Sequence, residues 1–580
     1  MRLALAVLGF LTSSALAQAV KWQLPERGGA VYKRTLKAEA KVEPAGAESP
    51  DIWRGPDQPG TVLAGELDAG RQRRALAVWD LRELIAQLGL DLGSLRAGKS
   101  RLDITTANLF QPVRVDVVYG APAENGQQTF EATIDLDAKA ARVEGIPADR
   151  PQLKGRVVGS RTVDRTLGLV TRIEGTADLT LDVPERQDGN RKVPACRKIF
   201  RITDAWSEPL LLSAESPEFK TRVVNAIRTS MKFLHDRVKE RLEQPFDAGP
   251  DPYHDIQPGE LALMLLALRH AGLDLSDPVL KRGYEILRKR TIEGTYSLSV
   301  AILALEALYT PAGEWAELHS GRIKTPMARV LPPEDLAIMR DWAKSLLDNI
   351  DTSVDAAYLR RWFYGPAKDY DNSNTQYALL GLYGAQLCGI EISPQIWTAG
   401  ANHWLQCSIA SGQPDFPDLL FQKDVEKGTR TRTGSNKVQA RGWGYRADTP
   451  TGSMTAAGIS GLTLCNAGLR QQKKGTPKLL GEMDDAVRGG FLWLDREFSV
   501  RRNPGPPDSW AHWQHYYLYG LERACELNQV ARLGGRDWYF EGAMQLLATQ
   551  NQDGSWGGWH ETAFGLLFLK KSALPAMTGR

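Results

Sequence analysis

Two histidines three residues apart, His512 and His515, stand in the aromatic run Trp510-Ala511-His512-Trp513-Gln514-His515-Tyr516-Tyr517. On a helix that spacing puts both imidazoles on one face, where a pair can ligate a metal, act as acid and base, touch a ligand, or lie buried and hydrogen-bonded. A third ligand is not identifiable around them, so no metal and no cofactor is assigned. Among the carboxylates, Asp371 and Glu561 form the one plausible acid pair, the arrangement that cleaves glycosidic bonds when two such groups face each other across a sugar. Asp371, His515 and Glu561 are therefore the candidate catalytic residues. Candidate ligand contacts are Tyr296, Asn374 and Gln376, then Trp443 and Tyr445, and finally Trp510, His512, Tyr516 and His560. Each has a structural alternative, as a helix cap or a packed core residue.

Helices must position these groups. From Pro217 onward apolar residues recur with helical period, and the segments come in pairs. First members run over about 219–242, 277–291, 334–350, 394–408, 482–498 and 536–550, and carry charged faces. Second members run over about 258–271, 296–309, 373–389, 453–467, 509–527 and 559–571, with fewer charges and more Gly, Ala, Tyr and Leu. A helix that is apolar nearly all round must be covered on most sides, so the second set is expected as an inner ring and the first as an outer one. Inner helices pointing one way bring their N-termini to a common mouth. His254, Asp255, Ser297, Ser453 and Thr455 join the candidates there, and the backbone N–H groups favour an anionic or hydroxyl-rich ligand. Connections 351–370 and 412–451 exceed ordinary helix–helix loops and are expected to act as lids, walled by Trp362, Phe363, Tyr364, Tyr370, Trp443 and Tyr445. Within the second, 423–446 is basic: a solvated loop or an anion-binding rim. The acidic Glu482-Met483-Asp484-Asp485 is expected to open an outer helix with favourable charge.

Before residue 212 the period changes. Segments 113–119, 129–136, 155–158, 167–175 and 177–183 alternate apolar with polar residues, with turn formers between them, as exposed-faced strands do. Residues 74–90 read as one strand and one helix, and 44–60 as a loop or linker. The chain is thus multidomain: a signal peptide over 1–17, a β-rich domain over 18–212 for packing, attachment or partner binding, and an all-α domain over 213–580. Arg2 leads the apolar run 3–11, which ends in Ser13-Ser14-Ala15-Leu16-Ala17, a cleavable export signal. The expected product is exported, periplasmic or secreted, and soluble, since no later segment reaches the roughly 20 apolar residues of a membrane span. A net charge of +3 on 580 residues gives no stripe for nucleic acid. Five scattered cysteines, Cys196, Cys388, Cys407, Cys465 and Cys525, suggest small core residues, with Cys388–Cys407 as a conceivable disulfide.

The turn Asn551-Gln552-Asp553-Gly554-Ser555-Trp556-Gly557, the stretch Gly442-Trp443-Gly444-Tyr445 and the helix start Asp371-Asn372-Ser373-Asn374-Thr375-Gln376 resemble squalene cyclase and protein prenyltransferase repeats over about 215–575. That resemblance implies an (α/α)6 toroid of six helix pairs around a central cavity, with Gln552 and Trp556 stapling one repeat to the next. Bacterial cyclases protonate an alkene with D-x-D-D-T; the matching segment, 371–375, keeps only the first acid and the threonine. Prenyltransferases hold zinc with an Asp-x-Cys pair, which the sequence lacks. Two readings follow: a toroid that binds a ligand or partner, whether isoprenoid, glycan or peptide, or an enzyme acting in the cavity on an isoprenoid lipid or a glycan.

Overall fold

A computed structural model describes residues 28–43, 60–63, 77–78, 85, 88, 97–106, 109–136, 152–164, 169–183, 186–188, 191–193, 195–243, 256–320, 322–323, 325–422, 437–505 and 513–572. The export signal, the linker 44–59, His254, Asp255, Trp510, His512 and most of the basic stretch lie outside them. The chain divides into two compact units, 1–219 and 220–580.

The first unit is a sheet of nine described strands: β1 (Gly28–Glu43), β2 (Gly60–Leu63), β3 (Ala77–Val78), β4 (Gly98–Thr106), β5 (Leu109–Tyr119), β6 (Gln127–Leu136), β7 (Gln152–Asp164), β8 (Leu169–Val183) and, after the small hairpin β9 (Arg186–Asp188) and β10 (Arg191–Val193), the long β11 (Cys196–Ser213). Their order is β2-β1-β11-β8-β7-β6-β5-β4-β3, antiparallel except for β3 beside β4. Register explains the alternation in sequence. Val117, Ala132, Val157, Ala177 and Ile202 pair in one row across five strands, and all are fully buried. Ile85 and Leu88, both helical and buried, belong to the same core, and Tyr119 Oη donates to the Leu88 carbonyl at 3.0 Å. The opposite face carries ion pairs such as Arg156–Glu131 and Arg197–Asp182. Segments 167–175 and 177–183, expected as two strands, are one: β8 runs through Gly175-Thr176, which pair with Thr203-Asp204 of β11 without a break.

Thirteen helices make up the second unit's described regular structure apart from short strand pairs. They are α1 (Pro217–Glu243), α2 (Ile256–Ala271), α3 (Pro278–Arg288), α4 (Thr295–Leu308), α5 (Glu314–His319), α6 (Pro333–Asp348), α7 (Asn372–Leu387), α8 (Pro394–Gln406), α9 (Gly452–Gln471), α10 (Pro477–Arg496), α11 (Gln514–Leu527), α12 (Trp538–Thr549) and α13 (Trp559–Lys570). The apolar helices are neighbours in series: α2 packs on α4, α4 on α7, α7 on α9, α9 on α11, α11 on α13, and α13 back on α2. Helices α3, α6, α8, α10 and α12, the first members of the expected pairs, each pack on a member of that series, although α8 carries no Asp, Glu, Lys or Arg and so lacks the charged face expected of it. Helix α10 begins at Pro477 under a Thr476 cap, so Glu482 to Asp485 sit past its first turn, and the macrodipole reading of that cluster is corrected. Asp484 instead accepts from Asn466 of α9 at 3.1 Å.

One device recurs ahead of three apolar helices. Trp362, Trp443 and Trp556 each donate the indole N–H, at 2.8 Å, to a carbonyl of the helix before it, that of Leu346, Trp404 and Leu546 respectively. Each also donates its backbone N–H to a threonine hydroxyl in the first turn or so of the following helix, Thr375, Thr455 and Thr562, at 3.1 to 3.2 Å. Buried donors need partners, and this pair of bonds fixes both helices of a repeat from one residue. Gly461 and Gly458 accommodate the rings: a Cβ there would stand 2.4 Å from the Trp404 indole and 2.3 Å from that of Trp443. The last turn docks on the first helix. Gln550 Nε2 donates to the Ala226 carbonyl of α1 at 3.0 Å, and Gly554, at φ +88°, approaches the backbone of Thr229. The stapling glutamine is therefore Gln550; Gln552 is exposed.

Candidate functional site

Helix α7 starts with Asp371 as its cap. Oδ1 accepts from the Asn374 amide at 2.8 Å and from Ser373 Oγ at 2.5 Å, and Oδ2 accepts from Asn374 Nδ2 at 2.7 Å. The carboxyl is wholly buried, which raises its pKa against the opposing bonds from Ser373, Asn374 and Tyr445. Beside it, Asn372 receives the connection: its backbone N–H donates to the Tyr445 carbonyl at 2.8 Å and its Nδ2 to that of Gly444 at 2.9 Å. Tyr445 Oη lies 3.4 Å from Tyr364 Oη. The two long connections are thus tied to one helix start. The second connection also takes part in local β-structure: Ile409–Asp415 pairs with Val438–Gly442, and Leu419–Phe421 with Val530–Leu533.

Behind this start, His403 Nε2 lies 2.7 Å from Asn372 Oδ1 and 3.7 Å from Cys407 Sγ. A Cys, His and Asn together suggest thiol catalysis, but the geometry excludes it. Asn372 Nδ2 donates to Gly444, so Oδ1 is the acceptor and His403 Nε2 must carry the proton; the nitrogen nearest the thiol cannot take another. Burial lowers His403 to about 3 and raises Cys407 to about 12, leaving both neutral. Cys388, Cys407, Cys465 and Cys525 are free buried thiols, which removes the Cys388–Cys407 disulfide.

Aromatic side chains from four apolar helices meet. Tyr296 of α4 has its ring 4.7 Å from that of Tyr377 on α7; Tyr377 stacks on Tyr516 of α11 at 6.2 Å and 21°; and Tyr516 meets Phe564 of α13 at 5.6 Å. Tyr516 Oη donates to Gln376 Oε1 at 3.4 Å. Burial raises the pKa of Tyr296, Tyr377 and Tyr516, so their hydroxyls stay protonated. Within this cluster several buried polar atoms have no hydrogen-bond partner among the described residues: Asn374 Oδ1, Gln376 Nε2, Tyr377 Oη and all three guanidinium nitrogens of Arg523.

A second cluster holds the other candidates. Glu561 Oε2 accepts from the Gly558 amide at 3.0 Å, and Oε1 lies 2.7 Å from His560 Nε2. Burial pushes the Glu561 pKa up, but the His560 bond, a backbone hydrogen bond and the charges of His560 and His515 together outweigh it and leave it lowered. His515, its ring 6.4 Å from that of Trp556, is lowered to about 4 by burial, and its Nε2 has no partner among the described residues. Asp371 and Glu561 are each engaged within their own helix start, so neither is the free member of a carboxylate pair. Trp443 is fully buried with its indole N–H bonded, which makes it a packing residue with no face for a ligand.

Arg523 escaped the sequence reading. Its signal was a pair of charges, Glu522-Arg523, set among Gly520-Leu521 and Ala524-Cys525 on an otherwise apolar helical run. No protein-family model matches the chain, and no curated protein is similar to it.

Proposed function

We propose that residues 220–580 form an (α/α)6 toroid of squalene cyclase and prenyltransferase-like repeats on an exported protein, and that its centre binds a ligand without cyclising it. The observation that carries this reading is the neighbour order of the six apolar helices, which returns from α13 to α2. Those helices would be the inner ring, and Tyr296, Tyr377, Tyr516 and Phe564, drawn from four of them, its lining. Isoprenoid, glycan and peptide ligands all present surfaces that such tyrosines contact.

Polyene cyclisation needs an unusually strong acid held by neighbouring carboxyl groups. Asp371 is the reverse: burial raises its hold on a proton, and its oxygens are taken by Ser373 and Asn374. A second reading, an enzyme working on an isoprenoid lipid or a glycan, is favoured by one observation, the unpartnered Nε2 of His515 on the helix that also carries Tyr516. Incubating the purified protein with squalene, prenyl diphosphates and polysaccharides, with mass spectrometry of the products, separates the two. Binding without product is expected. Turnover that disappears in Asp371→Asn or His515→Gln would establish the enzyme instead.

A further inference from the structure

The guanidinium of Arg523 is 1% exposed, 4.3 Å from the Tyr519 ring and 5.1 Å from the Tyr377 ring, and its Nε, Nη1 and Nη2 have no hydrogen-bond partner among the described residues. Arginine cannot discharge itself by losing a proton, and although the charge of the adjacent Glu522 bears on it, burying its five N–H donors without acceptors is costly. Ring faces offset part of that cost, not the missing acceptors. On the facing helix α7, Gln376 Nε2 is an unpaired donor in the same aromatic cluster, and Tyr377 Oη, close enough to the guanidinium to feel its charge, donates to no acceptor there. Unpartnered donors thus outnumber the one unpartnered acceptor of the cluster, Asn374 Oδ1.

The geometry points to a site for the carboxylate of an apolar monocarboxylic acid, held by the Arg523 fork with Tyr377 Oη and Gln376 Nε2 as further donors, its hydrocarbon part among Tyr296, Tyr516 and Phe564. This deepens, and rests on, the reading of the ring centre as a ligand site. The ligand's charge is limited to one: Arg523 is the positive group that bears on the hydroxyls of Tyr377, Tyr516 and Tyr519, and the charge of Glu522 already offsets part of it. One guanidinium matches one carboxylate in charge and in its two parallel bonds, whereas a diphosphate would bring surplus negative charge into a buried aromatic setting. Tyr516 lies two turns before Arg523 on α11, so an entering ligand must part the Tyr377–Tyr516 stack.

The test uses three probes with one tail and different heads: farnesoic acid, farnesol and farnesyl diphosphate, titrated by calorimetry against the full chain and against Arg523→Met. Farnesoic acid is expected to bind at least about tenfold more tightly than either other probe, the discrimination that about 1.4 kcal/mol gives. Arg523→Met should reduce farnesoic acid to the affinity of farnesol while raising the melting temperature of the ligand-free protein, because a merely structural arginine would lower it on removal. Equal binding of acid and alcohol overturns the anchor and leaves the ring-centre reading standing. Preference for the diphosphate overturns the monoanion. Failure of all three to bind overturns both, and so does an Arg523→Met protein that melts lower than the parent while binding farnesoic acid unchanged.

Discussion

Two arginines of the helical unit are equally buried and differently kept. Arg329 donates from Nε to Glu306 at 2.5 Å, from Nη1 and Nη2 to Glu314 at 2.7 and 2.8 Å, and from Nη1 to the Met327 carbonyl at 2.6 Å. Every donor face is answered, and the group fastens the segment after α5 to the end of α4. Arg523 has no such partner among the described residues. A fold that fully satisfies one buried guanidinium and leaves another bare treats the first as structure and holds the second for something that arrives later.

That contrast can be broken at its strongest point first. Arg329→Ala strands two buried carboxylates and should lose about 3–5 kcal/mol in denaturant unfolding. Arg523→Met should go the other way, gaining up to about 4 kcal/mol in the absence of ligand, as replacement of buried ionic groups by packed apolar side chains can. If both variants lose stability alike, the distinction between them fails.

Acid sharpens it from another side. His403 is 2% exposed and its folded pKa, about 3, lies below the ordinary value of about 6.5. Between those values the unfolded chain binds the proton and the folded one does not, so stability falls as pH drops through that window. From pH 7 to 4.5 this group alone should cost about 2–3 kcal/mol, at 1.36 kcal/mol per unit. Comparing denaturant midpoints of the parent and His403→Gln at both pH values checks it; identical pH slopes would contradict it. The smallest effect belongs to the tryptophan device. Thr455→Val leaves the Trp443 amide unpartnered and should cost about 1–2 kcal/mol, with Thr562→Val similar at Trp556.

How much of this was legible depended on the range of the signal. Helix pairs declared themselves through local periodicity, and α1, α6, α8 and α13 begin or end within about two residues of the segments expected from sequence. Helix α10 starts earlier than its acidic cluster suggests because Thr476-Pro477, a cap followed by a first-turn proline, is the true start signal and the charges behind it lie inside the helix. Strand β11 was missed and β8 divided because glycine and threonine at 175–176 looked like a turn, whereas pairing on both sides keeps them in the sheet. The tryptophan device was invisible for a different reason: Trp362 and Thr375 are 13 residues apart, and only the fold brings them to 3.1 Å. Of the candidate site, Tyr296, Gln376 and Tyr516 do converge, while Trp443 packs and Asp371 and Glu561 cap. Arg523 stayed hidden because a charged residue on an apolar helix reads the same whether it is paired or bare.

The most direct measurement is a crystal structure of the full chain grown with farnesoic acid. The expected result is a closed ring of α2, α4, α7, α9, α11 and α13, with the acid lying between Tyr296, Tyr377 and Tyr516 and its carboxylate on Arg523. An open solenoid, or ligand density anywhere else with Arg523 still bare, would contradict it.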